Sequence, residues 1–151
     1  MEIAAGMRLE WLRFGELSPT LLYEVLRFRQ AIFVVEQCCA FPDLDGLDQQ
    51  AQHLLLREGG VLAGYLRLIP YPAESRVAIG RVAVAEKLRR RGLARLMMAD
   101  ALTRCAADYP GCAVTLTAQT YLVALYEDFG FYSTSAPFDD YGLTHIAMAR
   151  R

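Results

Sequence analysis

The sequence predicts an α/β (α+β) fold, a mixed and mostly antiparallel twisted sheet flanked by helices, on three observations. Short apolar runs of strand length recur along the chain, two of them joined by the tight turn Glu58-Gly59-Gly60. Longer segments carry helical apolar spacing bounded by start and stop signals. One strand passes straight into a helix through a basic, glycine-containing turn, Arg89 to Ala94.

The elements follow in order. Met7 to Phe14 alternates loosely, with Met7, Leu9 and Trp11 on one face, and is expected as the first strand. Ser18-Pro19 is a helix entrance, an N-cap followed by proline at the first helical position. Leu22, Val25, Leu26, Arg29, Ile32 and Phe33 then keep helical spacing, and the helix is expected to end near Val35 or Glu36. Gln37 to Gln52, rich in Pro, Asp and Gln, reads as a loop with room for a helical turn. His53 to Arg57 and Val61 to Pro70 make two strands around the Gly-Gly turn. Arg76 to Ala85 is almost continuously apolar, which suggests a central strand covered on both faces. A helix from about Arg91 to Ala107 presents Leu93, Leu96, Met97 and Ala101 and stops at Tyr109-Pro110-Gly111. Ala113 to Ala118 is a strand, Tyr121 to Phe129 a short helix closed by Gly130. Phe131 to Thr134 and Leu143 to Ala149 form a last strand pair, joined by a loop with Pro137, Asp139 and Asp140. This order is a layered α/β arrangement with one or two crossover helices.

At 151 residues the chain is expected to be one domain, 1–151, around one core. Its 54% apolar against 22% charged residues predicts folding rather than disorder. A formal net charge of −1 argues against the broad basic face that a nucleic acid partner requires. No stretch approaches the ~20 apolar residues that span a membrane, and the N-terminus does not read as a signal peptide. Cys38, Cys39, Cys105 and Cys112 lack CxxC spacing and a histidine cluster, so no metal is expected. They read as reduced, mostly buried thiols of a cytoplasmic protein.

The turn Arg89-Arg90-Arg91-Gly92-Leu93-Ala94 carries the most chemistry. The first four N–H groups of a helix have no internal partner, and that end bears about half a positive charge. Small residues at positions 92 and 94 let a phosphate approach the main chain. The arginines and Lys87 add mobile positive charge. There is no GxGxxG and no Gly-Lys-Ser/Thr, so neither a dinucleotide fingerprint nor a triphosphate loop is present. From the residues alone, an anion site and a solvated basic turn both remain open. A second segment, Ala118-Gln119 followed by Ala124-Leu125-Tyr126-Glu127-Asp128-Phe129-Gly130-Phe131, is a strand and then a short helix.

Arg89-x-x-Gly92-x-Ala94 after an apolar strand resembles the Q/R-x-x-G-x-G/A motif of the GNAT superfamily of N-acetyltransferases, and the second segment resembles that family's tyrosine-bearing motif. Phe33 to Gln37, Asp43 to Gly46, Gln52-His53, Ile79 to Val82 and Gly142 to Ala149 look like its ElaA-like branch, so the resemblance spans nearly the whole chain. It implies the GNAT acyl-CoA N-acyltransferase fold and transfer of an acetyl group from acetyl-coenzyme A to a primary amine. It implies that Val82, Ala83 and Val84 bind the pantetheine arm. Arg89 opens the cradle, and the amides of Arg90, Arg91, Gly92, Leu93, Ala94 and Arg95 hold the pyrophosphate. Tyr126 is then the acid that protonates the departing thiolate, a role its chemistry allows because a phenol can serve a thiolate held close by.

An attacking amine must lose a proton, yet Ile79 to Val84 contains no acid. Glu36 and His145 are the candidate catalytic bases. Asp45, His53 and Arg81 are the candidate acceptor-binding residues. Each has a plainer alternative: Glu36 paired with Arg81, Asp45 in a turn before Gly46, His53 bonded to the acidic loop, His145 structural. Glu36, Asp43, Asp45, Asp48, Asp139 and Asp140 around one cleft would favour a small cationic amine or a peptide amine. The rival reading is a degenerate module that senses acyl-coenzyme A without turnover. An unpaired sheet edge would permit a homodimer.

Overall fold

The computed structural model describes residues 5–151. Its strands are β1 (Met7–Arg13), β2 (Gln52–Glu58), β3 (Val61–Tyr71), β4 (Arg76–Val84), β5 (Ala113–Gln119), β6 (Tyr132–Ser133), β7 (Phe138–Asp140) and β8 (Leu143–Arg150). The helices are α1 (Pro19–Arg29), α2 (Leu93–Asp108) and α3 (Val123–Glu127). One sheet runs in the order β1-β2-β3-β4-β5-β8-β6, with β7 also paired to β8. Every pairing is antiparallel except β4 with β5, and α2 is the crossover that joins those two parallel strands.

Local chemistry starts and stops the helices as expected. The Ser18 hydroxyl accepts a hydrogen bond from the Leu21 amide, and Pro19 occupies the first turn. After Arg29 the helix widens into a π-helical run, Gln30–Glu36, with i−5 bonds from the amides of Gln37 to Ile32 and of Cys39 to Val34. α2 begins at Leu93, two residues later than its apolar spacing suggests, because Gly92 is left-handed at φ 76°. The short helix before Gly130 divides into a 3-10 turn, Thr120–Leu122, and α3.

Two sequence expectations are corrected here. The strand buried on both faces is β3, not β4: Leu62 through Ile69 is buried at every position. α1 covers one face of the sheet, with Val25 against Leu55, Leu62 and Tyr65. α2 covers the other, with Leu93, Met97, Met98 and Ala101 against Leu54, Leu56, Leu66 and Leu68. β4 alternates instead, burying Val77, Ile79 and Ala83 while the other face stays partly open. The segment with Asp139 and Asp140 is not a plain loop but strand β7, folded onto β8 by a Tyr141-Gly142 turn in which both residues have positive φ. The cysteines also divide: Cys39 and Cys105 are buried, Cys38 is exposed and Cys112 half-buried. Among the described residues no helix is long and apolar enough to cross a membrane.

Gly64 sets the approach of α2 to β3. A Cβ there would lie 2.9 Å from Met97 Sδ and 3.3 Å from the Ala83 carbonyl. Gly64→Val is expected to destabilise the fold by about 1–3 kcal/mol through overpacking, read as a lower urea midpoint at unchanged slope.

Candidate active site

The site begins with a divergence. β4 and β5 pair only through Arg76–Ala78 and Ala113–Thr115, although β4 continues to Val84 and β5 to Gln119. Being parallel, they open a wedge at their C-terminal ends. The cause lies in β4. Its register with β3 jumps between Tyr65↔Ala83 and Arg67↔Gly80, leaving Arg81 and Val82 as an unpaired bulge. Arg81 is left-handed there, at φ 54°, a conformation that a long side chain adopts only when its surroundings impose it.

Two cavities occupy the wedge. The outer one, of about 460 Å³, is lined by Val82, Ala83 and Val84, by Glu36, and by Arg89, Arg90, Gly92, Leu93, Ala94 and Arg95. The inner one, of about 140 Å³, is lined by Ile79, Gly80, Arg81, Leu116, Phe41, Tyr141, Asp140, Leu143 and His145, among others. Phe33, Gln37, Val82, Gln119, Leu122 and Tyr126 line both, so the cavities meet there.

The outer cavity is backed by unpaired main-chain amides. Leu96 is the first α2 amide to close onto the helix, bonding the Gly92 carbonyl at 3.0 Å, and the amides from Arg90 to Arg95 have no backbone partner among the described residues. A Cβ at Gly92 would meet nothing within 4 Å, so the space before the helix end is open. Free amides at a helix N-terminus are an anion cradle. Most arginine charges of the turn are otherwise engaged, which corrects the expectation that they are mobile. Arg89 holds Glu36 at 2.6 and 2.9 Å and the Val84 carbonyl at 3.0 Å. Arg91 holds Glu58 at 2.9 and 3.1 Å, and Arg95 holds Asp128 at 2.9 Å.

Tyr126 stands at the junction. Its ring is buried in the core, edge-on to Phe131, and the Phe131 amide returns to the Tyr126 carbonyl as Gly130 ends the helix at φ 87°. Burial pushes its phenol up to about 12, so it carries its proton at any physiological pH. His145 reaches the inner cavity from β8. Its Nδ1 lies 2.9 Å from the Leu143 carbonyl and therefore donates, which leaves Nε2 of the neutral ring with its lone pair.

The other predicted residues are placed differently. Glu36 pairs with Arg89, not Arg81, and the hydrogen bonds from that guanidinium hold its carboxyl below the ordinary range, making it a weak base. His53 is 1% exposed and lines neither cavity. Its Nδ1 accepts from the Tyr65 hydroxyl at 2.6 Å, its Nε2 donates to the Asp48 carbonyl at 2.9 Å, and burial lowers its pKa. Asp45 caps the Leu47 amide and pairs with Arg67 and Arg81. Arg81 does line the inner cavity, but its guanidinium is bound to Asp43 at 2.6 Å and lies 5.2 Å from the Phe41 ring centroid. The acidic loop is thus neutralised rather than turned toward a ligand. Asp43 also takes Arg29 at 3.2 Å, and Asp48 takes Arg29 at 2.7 Å and Arg67 at 2.8 Å.

Arg29 and Arg67 are the partners that sequence reading missed. Both lay in view, one charge within the apolar stripe of α1 and one within the apolar run of β3. A buried charge demands a partner, and the Asp-rich loop is that partner. Arg67 Nε is left buried without a hydrogen bond among the described residues.

A family model described as an acetyltransferase (GNAT) domain matches residues 35–151. Protein ElaA of Escherichia coli is 37% identical over 147 residues, covering 94% of this chain and 96% of its own. A UPF0039 protein of Synechocystis is 36% identical over 143 residues, 93% of each. The crystal structure of E. coli ElaA matches with a TM-score of 0.91 at 35% identity, covering 96% of this chain and 99% of that one. An acyl-CoA N-acyltransferase from Pseudomonas aeruginosa matches with a TM-score of 0.90 at 32% identity and the same coverages.

Two measurements test the ion network. Asp43→Ala leaves Arg29 buried beside a missing partner and is expected to cost about 3–5 kcal/mol of unfolding free energy. For Asp45, desolvation pulls the carboxyl upward, but hydrogen bonds and attraction from Arg67, with the Arg81 charge, outweigh it and hold the pKa at about 2. The depressed folded value means that its stabilisation is complete above the unfolded value of about 3.9 and is lost as pH falls through that value toward 2. Wild type should therefore lose about 1–2 kcal/mol more than Asp45→Asn between pH 5 and pH 2, followed by urea titration.

Proposed function

The chain belongs to the GNAT acetyltransferase family, and we propose that it moves an acetyl group from acetyl-coenzyme A to a primary amine, of a small molecule or a peptide, by direct attack in the β4–β5 wedge. The observation that carries this reading is the meeting of two unlike cavities at Val82 and Tyr126, one backed by free helix amides and the other by a histidine lone pair.

Each side has its own work. The amides of Arg90 to Arg95 take the pyrophosphate, and Val82, Ala83 and Val84 run beside the pantetheine arm. The bulge at Arg81–Val82 leaves main chain unpaired beside the thioester, where an amide such as that of Val82 can polarise its carbonyl. The acceptor enters the inner cavity and gives its proton to Nε2 of His145, in place of the missing acid on β4. The amine nitrogen then bonds to the acyl carbon, the carbon–sulfur bond breaks, Tyr126 passes its proton to the sulfur, and the proton that the nitrogen sheds on becoming an amide restores the phenol. A phenol that stays protonated to about pH 12 is ready for that step throughout the working range.

Gly92→Val should weaken coenzyme A binding at least tenfold, measured by calorimetry, because a branched side chain at φ 76° strains the turn and fills the approach to the amides. Tyr126→Phe should lower kcat for thiol release by about 10²–10⁴-fold across an amine panel, the range of a lost general acid, with coenzyme A affinity retained. Wild-type activity should show no alkaline fall up to pH 10, since Tyr126 does not titrate there. Coenzyme A binding without thiol release from any amine would instead support the sensing module, and no binding would remove the reading.

A further inference from the structure

The inner cavity holds an unbalanced charge. Its lining contains two fixed charges, Arg81 and Asp140. Arg81 is neutralised by Asp43 and Asp45. Asp140 makes no ion pair among the described residues. Glu36, the acid of the neighbouring cavity, is bound by Arg89. Of the six acids that the sequence suggested around a cleft, Asp140 alone both lines the inner cavity and keeps its charge unpaired. Ile79, Leu116, Leu143 and Phe41 line the same space, and Asp140 is exposed to the solvent that a ligand would displace.

Strand register fixes where that carboxylate lies. Asp140 pairs with Leu143 and Phe138 with His145 across the hairpin. Alternate residues of a strand share a face, so Phe138, Asp140, Leu143 and His145 are on one face, and the Phe138 and His145 rings stack at 6.3 Å. Asp140 lies two residues along the ladder from the Phe138–His145 pair, roughly 7 Å along the strands. The hairpin tip is tied down by the Cys39 thiol, which donates to the Tyr141 carbonyl at 3.4 Å, and by the Phe41–Tyr141 contact at 5.9 Å. These contacts fix the backbone beside Asp140, whose carboxylate is itself exposed.

We infer that the acceptor is an amine bearing a second positive charge: the reacting nitrogen lies at His145 and the second cation, a short apolar stem away, lies at Asp140. This rests on the acyl-transfer reading above and narrows it to a substrate class, of which short linear diamines are the simplest members. The cavity's size agrees. At about 140 Å³ it compares with an engineered cavity of roughly 150 Å³ that accepts benzene, which suits a stem of a few carbons.

The probe is a series of linear primary monoamines and α,ω-diamines of matched chain length, with acetyl-coenzyme A and thiol release as readout. The expected result is a kcat/KM ratio of diamine to matched monoamine of about fivefold at the best length, the upper range for a partly exposed ion pair. That ratio should fall toward one in Asp140→Asn and in high salt. Asp139→Asn should keep it, because Asp139 lies on the opposite strand face and accepts from the Gly142 amide at 3.3 Å. Equal use of diamines and monoamines, or a preference that survives Asp140→Asn, overturns the inference and leaves acyl transfer standing. Failure of every amine to release thiol overturns both.

Discussion

Asp43 lies between two arginines, and the shape of the site depends on that arrangement. Its carboxylate takes Arg29 from α1 and Arg81 from β4, while its carbonyl accepts from both guanidinium groups, at 3.0 and 3.1 Å. Burying such charges is costly unless every one is matched. Asp45, Asp48 and Arg67 complete the match, three cations against three anions. Two things are thereby held. The loop that carries Cys39 and Phe41 is fastened to the helix behind it. Arg81 is kept in a left-handed conformation that it would not choose alone. That residue lies in the bulge, and the wedge opens beside it.

The chain assigns its charges and its backbone to different tasks. Side-chain charge is largely consumed in architecture: Arg89 with Glu36, Arg91 with Glu58, Arg95 with Asp128, and the buried group around Asp43. What is left facing the outer cavity is main chain, a left-handed glycine and a run of amides whose helix has not yet closed. Such a cradle needs no reorganisation when an anion arrives. The Arg89–Glu36 pair has a second effect. It links the end of the π-helical run to the turn before α2, beside the outer cavity that both residues line, so Glu36 is engaged in an ion pair rather than free.

Tyr126 and His145 are positioned by equally local devices. Gly130 ends α3 and turns the chain so that Phe131 packs edge-on against the Tyr126 ring. The Leu143 carbonyl chooses the His145 tautomer. Each device is a single backbone event beside the residue it serves.

The layered α/β class, the order of most elements, the glycine turn at Gly92 and the Tyr126–Gly130–Phe131 segment were legible in the sequence. These rest on periodicity, capping and turn chemistry within a few residues. It did not disclose β7, because an Asp-rich segment shows no alternation and becomes a strand only by pairing with β8. It left open which acids are paired. Whether Glu36, Asp45 or Asp140 is free depends on which arginine reaches it from more than twenty residues away, and only the tertiary structure decides that. The wedge is likewise a tertiary fact. The apolar run of β4 predicts a strand, but where that strand leaves its neighbours appears only in the pairing registers, at the bulge whose Arg81 pairs with distant Asp43.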